Sequence, residues 1–154
     1  MCPSRVPKGK KRGWIIPVGG AEVKENNPKI LSRFVELCGG KKARIAIIPT
    51  ASKLIETGPK YERIFKGLGA QSAVSVDFEK RKDASDPARL SVFDGVTGVF
   101  FTGGNQLRLA TLLGGTPVAK LIRELNAQGV HVCGTSAGAS FISEHMIAFG
   151  EEGS

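Results

Sequence analysis

The chain alternates short apolar, β-branched runs with stretches whose apolar positions recur every three to four residues. The runs at Gly13–Val18, Ala43–Pro49, Ser72–Phe78, Gly95–Phe101 and Val130–Cys133 predict five strands. The second and fourth are nearly continuous in apolar residues, the pattern of parallel strands buried on both faces. Pro17 removes a ladder donor and is awkward in a central strand, so the first strand is expected to be short or irregular. Helical spacing predicts helices over Pro28–Leu37, Pro59–Leu68, Gln106–Leu113, Val118–Ala127 and Ala137–Ile147, with a short helix or helical turn over Pro87–Phe93. Gly39-Gly40 and Gly114-Gly115 supply stops, and Thr116-Pro117 caps and opens the fourth of the longer helices. No internal repeat interrupts this alternation, which predicts an α/β fold with a doubly wound, mostly parallel sheet.

In such sheets ligands bind beyond the carboxyl ends of the strands. Four glycine- or hydroxyl-rich turns fall there: Gly19-Gly20, Thr50-Ala51-Ser52, Gly103-Gly104-Asn105-Gln106 and Gly134–Gly138. All four are expected to converge on one edge, and that edge is the candidate site. Gly134-Thr-Ser-Ala-Gly138 has the Gly-x-Ser-x-Gly form and lies between a strand and a helix, the context of a nucleophile elbow. Such a turn lifts the Ser136 hydroxyl above the sheet, and the flanking glycines omit Cβ atoms that would collide with strand and helix. Two readings of the pentapeptide stay open: a nucleophile, or an ordinary glycine-rich strand-to-helix turn. As a nucleophile, Ser136 needs donors for a developing oxyanion. The backbone N–H groups of Ala137 and Gly104 are the candidates, with the amides of Asn105 and Gln106 offered to substrate. Asn105 serves equally well as a helix N-cap.

A base for Ser136 is harder to find. The only histidines are His131 and His145. His131 sits five residues back along an extended strand, and His145 would lie roughly 13 Å further along a helix. Each reads as structural or exposed. Where strand–elbow–helix hydrolases carry a triad, the acid and the histidine follow the serine in the chain.

Length and charge add boundaries. The 154 residues suit one domain, 13–154, behind a basic flexible tail at 1–12. Five of the 22 basic residues lie in that tail without an acid, while the other 17 face 14 acids. The net charge of +8 is therefore mostly a tail property, and a nucleic-acid partner is not expected. Hydrophobic content of 41% is ordinary for a soluble protein, and no apolar run is long enough for a membrane span. With no secretory signal recognised and three cysteines without metal-ligand spacing, a cytoplasmic setting is expected, with no metal and no cofactor.

Gly19-Gly20-Ala-Glu22, the segment Ala43–Ser52, Phe101-Thr-Gly-Gly-Asn-Gln106 and Gly134–Ser140, in this order, resemble cyanophycinase, of the cyanophycinase and dipeptidase E family of serine peptidases. The resemblance runs from about Gly13 to Gly150. It implies a class I glutamine-amidotransferase-like, flavodoxin-like sandwich, incomplete at its C-terminal side. It also implies a cofactor-free exopeptidase that cleaves multi-L-arginyl-poly-L-aspartate into β-Asp-Arg dipeptides, and a possible homodimer. By motif match Ser136 is the nucleophile, Gly104 and Ala137 give the oxyanion N–H groups, and Gln106 holds the β-linked aspartyl unit. Glu151 or Glu152 stands near where the family places an acid, the catalytic histidine falls beyond Ser154, and Val23 replaces an acidic residue in the first turn. The expectation is an inactive fragment, poorly soluble alone or covered by a partner. A decayed peptidase retained as a β-aspartyl binding module is the alternative. A nucleotide-binding flavodoxin-like domain is disfavoured because no turn matches a phosphate fingerprint.

Overall fold

A computed structural model describes residues 3–147. Five strands form one parallel sheet: β1 (Ile15–Val18), β2 (Arg44–Ile48), β3 (Ser72–Ser75), β4 (Gly98–Phe101) and β5 (His131–Thr135), in the spatial order β1-β5-β4-β2-β3. Among the described residues, six α-helices accompany them: α1 (Lys29–Leu37), α2 (Thr57–Gly67), α3 (Pro87–Leu90), α4 (Gln106–Leu113), α5 (Pro117–Ala127) and α6 (Ala137–Ile142). The expected α/β, doubly wound parallel architecture is the one observed.

Side-chain alternation along the strands feeds two cores, one on each face. Ile45, Ile47, Phe100 and Cys133 point to the face covered by α1 and α2, against Leu31, Phe34 and Phe65. Ala46, Ile48, Val99, Phe101 and Val132 point to the other, against Leu109, Leu113, Val118, Ile122 and Phe141 of α4–α6. Phe34, Tyr61, Phe65 and Phe100 stack on the first face with centroids 4.9–6.1 Å apart, the offset geometries that aromatic quadrupoles favour. Two-sided burial explains the unbroken apolar runs of β2 and β4.

Pro17 is accommodated because β1 is an edge strand among the described residues, pairing only with β5 through Ile15↔Val132 to Val18↔Thr135. Trp14 and Ile15 on this edge, with Val23 and Ile30 beside it, are exposed. Residues 3–12 form no helix or strand, and Arg12 anchors their end by donating to Asn126 Oδ1 at 3.2 Å and to the Ser4 carbonyl.

Several boundaries differ from the sequence expectation. β3 ends at Ser75 instead of Phe78, although Val76 and Phe78 are buried, because the Phe78 N–H turns to the Thr50 hydroxyl at 3.0 Å instead of a neighbouring strand. Thr116 does not cap α5 with its side chain; its hydroxyl donates back to the Leu113 carbonyl at 2.6 Å. The helix expected over Ala137–Ile147 stops at Ile142. Ser143 is extended there (φ −69°, ψ 160°), with its hydroxyl donating to the carbonyls of Ser140 and His145. No helix among the described residues is long and apolar enough to cross a membrane.

Candidate functional site

β5 delivers Ser136 to the carboxyl edge of the sheet in a conformation that L-residues seldom hold, with φ 52° and ψ −117°. A non-glycine residue in such a region costs about 1–3 kcal/mol and persists only where its surroundings over-determine it. Here they do. A Cβ added at Gly134 would lie 2.4 Å from the backbone of Gly138, and one at Gly138 would lie 2.5 Å from the Phe101 carbonyl oxygen. Strand, turn and helix are therefore packed backbone to backbone, and the Ser136 N–H is held by the Val18 carbonyl at 2.9 Å.

The other turns close around this serine. A Cβ at Gly20 would approach Ser136 Cβ to 3.0 Å and Oγ to 3.5 Å, and one at Gly103 would approach Ser136 Cβ to 3.3 Å. Gly20 (φ 107°) and Gly103 thus form the two walls beside the hydroxyl. Gly104 (φ 142°) backs onto the third turn, where a Cβ would lie 2.1 Å from the Ala51 carbonyl oxygen; the Asn105 N–H donates to that same oxygen at 2.8 Å. The four turns converge as the sequence predicts.

Ala137 opens α6, so its N–H is among those without an intrahelical acceptor. Asn105 is engaged as a cap: its Oδ1 accepts from the Arg108 N–H at 3.1 Å. Asn105→Ala is therefore expected to lower stability by about 1 kcal/mol, the usual worth of such a cap, and urea unfolding reads it directly. Gln106 heads α4, and its Nε2 lies 3.5 Å from the Ile147 carbonyl oxygen. The chain after α6 therefore returns toward Gln106, and the helical spacing used to distance His145 from Ser136 does not apply.

His131 lies at the opposite end of β5 from Ser136. Its Nδ1 accepts the Trp14 N–H at 3.0 Å, and burial lowers its pKa. It is structural. Neither described histidine hydrogen-bonds the Ser136 hydroxyl. Glu151 and Glu152 lie outside the described residues. Cys133, three residues before the serine, is buried on β5, and burial with the nearby Glu22 charge pushes its thiol up to about 12. At neutral pH it is an inert thiol.

Glu22 belongs to this site although sequence reasoning gave it no role. It is buried, and its carboxylate gathers three donors: the Thr135 hydroxyl on Oε2 at 2.5 Å, the Tyr61 hydroxyl on Oε1, and Lys24 Nζ 3.1 Å from Oε1. Burial alone would raise its pKa. The hydrogen bonds from Thr135, Tyr61, its own backbone and Lys24 together outweigh that and leave it lowered. Through Thr135 the carboxylate grips the residue immediately before Ser136. The signal in the sequence was an acid two residues after Gly19-Gly20, but its partners lie 39 and 113 residues away.

A serine on a left-handed strand-to-helix turn, walled by glycines at the carboxyl edge of a doubly wound parallel sheet, defines an α/β protein of the nucleophile-elbow type. Residues 15–153 match the model of peptidase family S51, and the chain belongs to that family. It is 38% identical over 151 residues to a cyanophycinase of Trichormus variabilis (strain ATCC 29413 / PCC 7937), covering 97% of this chain and 50% of that protein. To a cyanophycinase of Geminocystis herdmanii (strain PCC 6308) it is 40% identical over 144 residues, covering 92% and 53%. The chain thus spans about half the length of the curated relatives it matches. In fold it is similar to a peptidase from an acI-B1 Actinobacterium, with a TM-score of 0.71, 24% identity, and coverage of 88% of this chain and 58% of that one. A putative peptidase E protein from Listeria monocytogenes EGD-e gives a TM-score of 0.60 at 22% identity, covering 84% and 61%.

Proposed function

We propose that the protein acts as, or contributes to, a serine-type exopeptidase of the cyanophycinase kind, hydrolysing multi-L-arginyl-poly-L-aspartate to β-Asp-Arg dipeptides without a cofactor. The observation that carries this reading is the Ser136 conformation between Gly20 and Gly103. In this reading Ser136 Oγ attacks the scissile carbonyl carbon, giving up its proton to a base. The N–H groups of Gly104 and Ala137 take the oxyanion, and the amine leaves with a proton as the acyl-enzyme forms. Water then releases the acyl group. Gln106 and Asn105 hold the β-aspartyl unit, Asn105 through its Nδ2 since its Oδ1 caps α4.

Because neither described histidine bonds Ser136, residues 1–154 alone are expected to turn over little or no polymer. The same observation favours a second reading, a β-aspartyl binding module without turnover. A fluorophosphonate probe separates them. Labelling lost in Ser136→Ala shows an activated hydroxyl and supports the peptidase. Unlabelled protein that still binds β-Asp-Arg by calorimetry supports the binding module. Protein that neither labels nor binds overturns both.

A further inference from the structure

Away from Ser136, a cavity of about 500 Å³ opens at the same edge of the sheet, above the carboxyl ends of β2 and β3. Its origin is topological. The chain leaves β2 into α2, which packs on one face, and leaves β3 toward residues Ala84, Leu90 and Phe93, which pack on the other. Two neighbouring connections that diverge to opposite faces leave a crevice between them, where doubly wound sheets bind ligands.

The crevice carries both signs of charge. Asp77 and Glu79 follow β3 on one side, while Lys53 follows β2 and Arg108 reaches in from α4. Asp77 is oriented by two bonds to a single oxygen, from the Thr50 hydroxyl at 2.7 Å and the Phe78 N–H at 2.7 Å, which leaves Oδ2 without a partner among the described residues. Arg108 is fixed by its Nε donating to the Thr50 carbonyl at 2.7 Å. Neither Glu79 nor Lys53 has an ion-pair partner among the described residues. Four charged groups, two of them braced by Thr50, thus line one cavity without neutralising one another.

The crevice is continuous with the Ser136 site through one turn: Ala51, whose carbonyl abuts Gly104, is followed directly by Ser52 in the crevice wall. With strands about 4.8 Å apart, the β2–β3 crevice lies roughly 10–12 Å across the edge from the end of β5. An extended backbone covers that distance in three or four residues.

We propose that this crevice binds a zwitterionic unit of the polymer upstream of the bond being cut, with Asp77 and Glu79 taking a guanidinium and Lys53 and Arg108 a carboxylate. The assignment rests on the proposed substrate of the Ser136 site. It makes the protein prefer oligomers over the single dipeptide, because the released unit alone cannot reach both places.

The test is amide NMR of the 15N-labelled 154-residue chain titrated with β-Asp-Arg and with a linear oligomer of several such units. The oligomer is expected to shift Ser52, Lys53, Ser75 and Glu79 together with residues around Ser136 at one shared midpoint, whereas the dipeptide, which fills only one place at a time, shifts the two sets at separate midpoints and at higher concentration. Glu79→Lys, a change at an exposed side chain, is expected to weaken the oligomer about tenfold, of the order of one charge-assisted contact, and to leave the dipeptide's affinity at the Ser136 turns unchanged. Oligomer shifts confined to the Ser136 turns, or an unchanged oligomer affinity in Glu79→Lys, would overturn the crevice while the Ser136 reading stands. Shifts confined to the crevice would keep the crevice and remove that reading. No shifts with either ligand would overturn both.

Discussion

Replacing Glu22 by glutamine lowers the stability of the protein by about 3 kcal/mol at neutral pH. Removing one member of a buried charge network leaves its partners unsatisfied, which costs roughly 3–5 kcal/mol when burial is complete. The lower figure applies because Lys24 is 28% exposed in its side chain and recovers water. Tyr61, Thr135 and Lys24 all donate toward this carboxylate, and the glutamine NH2 cannot accept from them. The pH dependence has a definite sign. Glu22 titrates below its ordinary value of 4.5 in the folded protein, so the folded state binds its proton less readily than the unfolded chain. Its contribution is fully present above about 4.5 and is lost as pH falls through the lowered folded value. Urea unfolding of wild type and Glu22→Gln at pH 7 and at pH 3 checks this. The gap between them shrinks in acid. A gap that stays constant, or widens, would show that the carboxylate is not stabilised by these donors.

Gly138→Ala has the second large effect, and it acts at the elbow itself. The new methyl would lie 2.5 Å from the Phe101 carbonyl oxygen and 2.9 Å from the Phe101 carbonyl carbon and Cβ. These are strand atoms that cannot swing aside, so α6 must move off β4. Overpacking of this kind costs roughly 1–3 kcal/mol and exceeds the fraction of a kcal/mol that alanine returns in a helix. Net destabilisation of about 2 kcal/mol is expected, together with loss of the fluorophosphonate labelling that the proposed function predicts for Ser136, because the same shift relaxes the turn that holds it. Gly67→Ala is the control. Gly67 ends α2 with nothing within 4 Å of an added Cβ, and alanine there is expected to stabilise by about 0.5–1 kcal/mol. If both variants unfold at the same urea concentration, close packing at the elbow is not what holds Ser136 in its conformation.

Much of this could be read from the sequence, for a specific reason. Parallel strands buried on both faces leave unbroken apolar runs, and each such strand must end in a tight turn, so Ile45–Ile48 with Thr50-Ala51-Ser52 and Val99–Phe101 with Gly103-Gly104 mark both the strands and the site edge. The elbow was legible because its glycines answer close contacts made by neighbouring backbone. The strand order was not legible, and what depends on it stayed hidden. Pro17 reads as a defect until β1 is placed at an edge. Glu22 reads as one more turn residue until Tyr61 and Thr135 arrive from elsewhere in the chain. The end of α6 was misjudged because apolar periodicity continues through Ile147, whereas Ser143 redirects its hydroxyl to the carbonyls of Ser140 and His145. The crevice over β2 and β3 follows from which face each connection takes, a property that local patterns do not encode.

The pairing of β1 with β5 also sets an order of assembly. β2, β3 and β4 are close in sequence and adjacent in space, so they can associate with short loops to close. Ile15 meets Val132 only after nearly the whole described chain exists, which makes β1 the late partner both on the ribosome and in refolding. The Ser136 N–H is held by Val18, the final residue of that late strand. The Ser136 turn is therefore locked only in the closing step, and a half-assembled sheet leaves it without its Val18 bond.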